Sequence, residues 1–453
     1  MKNDTGILKI KSCIIIIFVF LMMLSERAIC YQAQSDSTKQ QNDDLVIRKA
    51  IATTIKKDPE ELTSEDYAKL EELDLFLYRT NVSDINTLSK LKNLKKLSLC
   101  CSEVSNIKPL SNLINLRTLN LRNIPVSDIN SLAALTNLQT LELNCAEVRN
   151  IKPLSGLANL QELRIINAQV SDINSLSGLI TLQRLGLFGT RVSDINSLCT
   201  LTNLKQLRIS DSNLSNIKPL SRLTSLQMLG LYDCIQVSDI NSLYALTNLR
   251  ELYLHDTNVI YIKPLSGLIN LQVLGLRGTP VSDINSLYSL SNLQELDLYG
   301  TNVRNIKPLS GLTGLKELSL WGAKVIDIKP LAKLNDLEGL YLGDTQMSDI
   351  NSIAALTNLK NLYLVNTEVT NLKPLSGLKK LEELRLNGTG VRDIKPLSGL
   401  TNLKELHLVD TKVIDIMPLS KLNSLTVLDL NGTKVTIKQM EKLRKALPQC
   451  NIF

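Results

Sequence analysis

Residue types able to do chemistry are scarce in this 453-residue sequence: it holds two histidines, one tryptophan and eight cysteines. Nucleophilic catalysis has one candidate pair, Cys234 with His255 as its base. No third group stands ready to orient the histidine, and neither a G-x-S-x-G elbow nor a phosphate-binding glycine loop occurs. The pair is therefore read as chance, and no catalytic residue is assigned. An aspartate series suggests calcium: Asp84, Asp128, Asp172, Asp194, Asp239, Asp283, Asp327, Asp349, Asp393 and Asp415. Calcium wants about six to eight oxygens, whereas these carboxylates are spread along the chain and alternate with Asn. Backbone capping accounts for both residue types, so no metal or cofactor is expected. The third constellation is one of recognition rather than reaction. Tyr232, Tyr253, His255, Arg277, Tyr299, Trp321, Tyr341 and Tyr363 cluster in a chain that is only 4% aromatic. Exposed Tyr, Trp and Arg supply much of the binding energy at protein interfaces.

The elements that position these residues follow from a repeat. The second aliphatic residue of successive L-x-L units falls at Leu77, Leu99, Leu121, Leu143, Ile165, Leu187 and Ile209. The series continues to Leu430, with 17 units in all. The spacing is 22 residues, except for one step of 23 from Leu231 to Leu254. Such a period is the signature of stacked structural repeats. Each L-x-L alternates as a short strand does. Beyond it, aliphatic residues recur more widely, as at Val303, Ile306 and Leu309, with Pro308 just before the last. That stretch is too short and too proline-marked for an α-helix, so it reads as an extended or 3₁₀-like return arm. One coil buries six or seven aliphatic side chains, each contributing roughly 1.5–3 kcal/mol, but only against stacked neighbours.

The unit L-x-x-L-x-x-L-x-L-x-x-T-x-V-x-D-I-x-P-L-S-x resembles the bacterial leucine-rich repeats of the internalin-like class over residues 75–435. The resemblance implies an α/β leucine-rich-repeat solenoid, a horseshoe or arc with a parallel sheet on its concave face, convex 3₁₀ arms and a helical N-terminal cap. The family's Asn after the strand is mostly Thr here, as at Thr257, Thr279 and Thr301, and a hydroxyl there is expected to bond between coils. Residues 45–74 have helical apolar spacing, with Thr63-x-x-Asp66 starting a second helix, and read as that cap. Residues 436–453 read as the C-terminal cap, an amphipathic helix followed by an extended tail. The family's adhesins often continue into further modules and a wall-anchoring region, whereas this chain stops at the cap.

In the solenoid so inferred, the eight recognition residues project from the concave side over roughly 30 Å, taking strands about 4.8 Å apart. They are read as a protein-binding surface. Strand propensity is the competing explanation for aromatics at such positions. A carbohydrate is the second-choice ligand, since ring faces beside carboxylates also suit sugars. His255 and His407 lie seven coils apart, roughly 34 Å, too far to share a metal.

Composition agrees with a binding scaffold. The net charge of +7 over 95 charged residues does not mark a nucleic-acid binder. At the start, Lys2, Lys9 and Lys11 precede an apolar run at 13–24, and Ala28-Ile29-Cys30 offers small residues about a cut. This pattern reads as a secretory signal peptide over 1–30, with an uncleaved anchor as the alternative. Residues 31–44 form a polar leader expected to be disordered. The scattered cysteines after Cys30 show no paired spacing, so no disulfide framework is expected. The sequence is thus read as an exported, monomeric scaffold with a protein partner; the resemblance implies an adhesin or effector kind of protein with a host protein as that partner. A structural envelope protein without a dedicated ligand is the rival.

Overall fold

The computed structural model describes residues 43–78, 80–100 and 102–453; the segment read as a signal peptide and all but the last two residues of the stretch read as a leader lie outside them. Among the described residues, no helix is long and apolar enough to cross a membrane.

Among the described residues eighteen parallel strands form one sheet, each paired with the next in the chain, from β1 (Glu72–Phe76) to β18 (Asn451–Ile452). Strands up to β8 (Met228–Tyr232) have five residues, and β9 (Glu251–Tyr253) to β17 (Val427–Asp429) have three. The fold is thus the leucine-rich-repeat solenoid expected, with 3₁₀ arms opposite the strands. In one representative coil Leu298, Val303, Ile306, Leu309, Leu312 and Leu315 are all shut off from solvent. The 3₁₀ turn Lys307–Gly311 carries Pro308 where no backbone N–H is needed.

Two devices turn the chain. Just past most strands one residue takes the left-handed conformation, for example Gly300 at φ 66° and Asp256 at φ 55°. Gly, Asn and Asp tolerate that region best, and they fill the position in nearly every coil. Further on, the Asp or Asn of the return arm accepts a hydrogen bond from the backbone N–H two residues later, as Asp239 does from Asn241 (2.9 Å) and Asn305 from Lys307 (3.0 Å). The aspartate series is thus a row of caps.

The threonines after the strand do not join coils. Thr257 and Thr301 donate to the carbonyls of Leu254 and Leu298, three residues back in their own coil (2.8 Å each). The inter-coil ladder is built instead by asparagines before the strand. Asn270 Nδ2 donates to Thr247 O and Asn292 Nδ2 to Ile269 O, both at 2.9 Å.

Both ends of the sheet are closed. Helix α1 (Asp43–Ile55) buries Ile47 and Ile51. Helix α2 (Ser64–Lys69) starts with a capping box in which Thr63 N–H donates to Asp66 (2.9 Å). Strand β1 begins within the segment read as a helical cap. Its Leu75 stands opposite Leu99, so the first step is longer than the period implied, and Leu77 is not the equivalent of Leu99. Helix α3 (Ile437–Ala446) returns the chain so that β18 pairs with β17. The tail thereby supplies an eighteenth strand where 17 were expected.

Candidate interaction face

In each strand the two leucines point into the core, so the residues before, between and after them share the opposite, outward face. The eight predicted residues all stand there. Tyr253, Tyr341 and Tyr363 lie between the leucines, while Tyr232, His255, Arg277, Tyr299 and Trp321 follow the second one.

Their exposure differs from the expectation. Tyr232, Tyr253, Trp321, Tyr341 and Tyr363 are only 3–8% exposed; Arg277, Tyr299 and His255 are half-buried. The cause is packing across coils. Tyr232 stacks on Tyr253 at 5.8 Å between centroids, and His255 meets both edge-on at 5.5 and 5.6 Å. Tyr341 and Tyr363 meet at 4.9 Å. Glycines seat the larger rings: a Cβ on Gly230 would lie 2.8 Å from the Tyr232 hydroxyl, and one on Gly343 would lie 2.7 Å from Trp321 Cδ2. Sequence reasoning missed these seats, although Gly230-Leu231-Tyr232 and Gly186-Leu187-Phe188 show the spacing.

Polar partners complete the layer. Trp321 Nε1 donates to Asp344 (2.5 Å), Tyr341 OH to Glu317 (3.0 Å) and Tyr253 OH to Glu251 (3.2 Å). Arg277 lies over the Tyr299 ring at 4.4 Å. Burial, then Glu251, pushes the Tyr253 phenol up, and burial, then Glu317, does the same for Tyr341. Burial first and Arg277 second hold His255 down at about 4. Burial also raises the carboxyls of Asp297 and Glu317.

Charge is segregated along the same face. Between β3 (Thr118–Arg122) and β6 (Arg184–Phe188) arginines and glutamates alternate. Arg122 bonds Glu142 (3.1 Å), Arg164 bonds Glu162 (2.8 Å) and reaches Glu142 at 3.9 Å, and Arg184 closes on Glu162 at 2.6 Å. With Arg208 this stretch carries four arginines against two glutamates, and before it β1 adds Glu72 and Asp74 and the next strand Lys96. From β9 to β17 the face carries Glu251, Glu295, Asp297, Glu317, Glu383, Glu405 and Asp429 against Arg277 and Arg385 only.

Cys234 and His255 are not a catalytic pair. Cys234 lies in the core with its sulfur 3.3 Å from Ser212 Oγ, and burial raises its thiol. His255 belongs to the outward ring cluster. Cys145 is likewise a core residue, pushed up to about 12 by burial. Three tyrosines not assigned to the surface are well exposed: Tyr244, Tyr261 and Tyr288 on the return arms. Among the described residues, Glu383, Glu405 and His407 place potential ligand atoms within 4.8 Å of one another.

Repeat, register and cap together define a leucine-rich-repeat protein of internalin-like architecture. The family model for "Leucine Rich repeats (2 copies)" matches residues 269–314, 291–333 and 357–399. No curated protein sequence matches the chain. Among solved structures, it is similar to a leucine-rich-repeat protein of Leptospira interrogans, at 24% identity and TM-score 0.68, covering 86% of this chain and 97% of that one. The functional domain of InlJ from Listeria monocytogenes is similar at 19% identity and TM-score 0.60, covering 84% and 78%. A plant peptide hormone receptor, RGFR1, solved in complex with RGF2, gives 19% identity, TM-score 0.60 and coverages of 86% and 75%. Each likeness concerns the fold.

Proposed function

We propose that this chain is an exported, non-enzymatic interaction scaffold of the adhesin or effector kind. It takes a protein partner across the outward face of its sheet. The carrying observation is the charge segregation of that face, with the half-buried Arg277–Tyr299 pair near the change from basic to acidic. A partner with the opposite sequence of charge would be steered and set in register by such a face. The basic, then apolar, N-terminal segment supports export, and the resemblance to internalins supports a host protein as partner. A monomer suffices, because the long sheet face is available on a single chain.

Protein is favoured over carbohydrate for a specific reason. The faces of Tyr232, Tyr253, Tyr341 and Tyr363 that would stack on a sugar are already covered by neighbouring rings and side chains. Capture of a partner by the parent chain, and its loss on Arg277→Ala/Tyr299→Ala together, is the result this reading expects. Equal capture by that variant, or no partner at all, would favour the envelope role instead.

A further inference from the structure

We propose that Glu383, Glu405 and His407 form a site for one divalent transition cation of the zinc class, on the outward face of β15 (Glu383–Arg385) and β16 (Glu405–His407). This stands independently of the partner-binding reading. Parallel register puts Glu383 directly opposite Glu405. His407 follows Glu405 by two residues and so shares its face. Three potential ligand atoms thereby come within 4.8 Å of one another.

The imidazole supplies the second observation. His407 Nε2 is shut off from solvent and has no hydrogen-bond partner. It faces Glu405 Oε2 at 3.7 Å, too far for a hydrogen bond. Ionised carboxylates accept only, so a neutral Nε2 lone pair here meets nothing but acceptors. A cation satisfies all three at once. Behind the ring, Asp429 Oδ2 stands 4.0 Å from Nδ1. At that distance the carboxylate makes no hydrogen bond, but its charge favours the proton on Nδ1, which leaves the Nε2 lone pair toward the ion.

The carboxylates are positioned as ligands. Glu383 Oε1 is gripped by Arg385 Nε (2.7 Å) and Nη2 (2.6 Å), Asn361 Nδ2 donates to Oε2 at 3.1 Å, and the Tyr363 hydroxyl also bonds this carboxylate, so its position is fixed. Among the described residues Glu405 has no lysine or arginine at ion-pair distance. Its side chain is 44% exposed, which provides a route in from solvent. One nitrogen and two oxygens suit zinc and its neighbours, whose bonds to such ligands are about 2.0–2.2 Å. Calcium, which wants about six to eight oxygens, is not served by this set. Of the two histidines the set uses His407 alone.

The test uses the full chain without a histidine tag. Zinc chloride is titrated by calorimetry, and cobalt(II) absorption reports the ligand type. The expected result is one ion per chain, a cobalt spectrum without thiolate charge transfer, and no calcium binding. His407→Ala and Glu405→Gln should each weaken binding at least about tenfold. His255→Ala should leave it unchanged. Circular dichroism checks folding, and the near-isosteric Glu405→Gln covers the case in which His407→Ala fails to fold. No zinc binding by the parent, undiminished binding in a folded Glu405→Gln chain, or a thiolate band in cobalt would overturn the proposal.

Discussion

The indole of Trp321 lies on Gly343, one coil further along, so closely that a Cβ there would fall 2.7 Å from Cδ2. The ring is held there by its Nε1 donating to Asp344. Gly343→Ala should push the indole out of its seat and cost about 1–3 kcal/mol, the usual range for overpacking. Because Trp321 is the only tryptophan, its emission reports the change directly. A red shift with lowered stability is expected; an unchanged spectrum would mean the glycine is not a seat.

Acid should loosen the ring cluster through His255. Its folded value of about 4 lies below the ordinary histidine value, so the neutral ring is favoured in the fold. The stabilisation is therefore complete above pH about 6.5 and is lost as pH falls toward 4, where protonation also reaches the folded state. The parent should lose up to about 3 kcal/mol more than His255→Phe over that window, read from urea unfolding at each pH. Asp297 and Glu317, raised by burial, act in the opposite direction in both proteins and subtract out.

Tyr261 stands where the other coils place a capping Asp or Asn, and it is 77% exposed. Its coil lacks the side-chain bond that Asp239 and Asp283 make in the coils on either side. Tyr261→Asp should therefore stabilise the chain by about 0.5–1 kcal/mol, seen as a raised thermal midpoint. A lowered midpoint would show that the tyrosine packs usefully where it stands.

The fold was legible because a period of 22 can be met by one coil only, and its Leu, Val and Ile positions became the core. The ends were less so, since register at Leu75 and at Ile452 depends on how the caps return the chain, which no repeat encodes. That the eight assigned residues share the outward side was legible, because strand alternation fixes it. Exposure was not: whether Tyr253 is free or covered depends on Tyr232 and His255 in neighbouring coils. The inter-coil bond was expected of threonines, but Thr301 reaches back to its own Leu298, and the reach between coils falls to Asn292. The Glu383–Glu405–His407 group escaped notice because His407 was weighed only against His255, not against the carboxylates that register brings beside it.

The central claim is that a partner lies on the sheet face rather than on the return arms. A photo-crosslinking phenylalanine at position 299, on the sheet, or at position 244, on an arm, tests it most directly. The account predicts a partner crosslink from position 299 that is absent from 244. A crosslink from 244 alone would contradict it and move the interface to the exposed tyrosines of the arms.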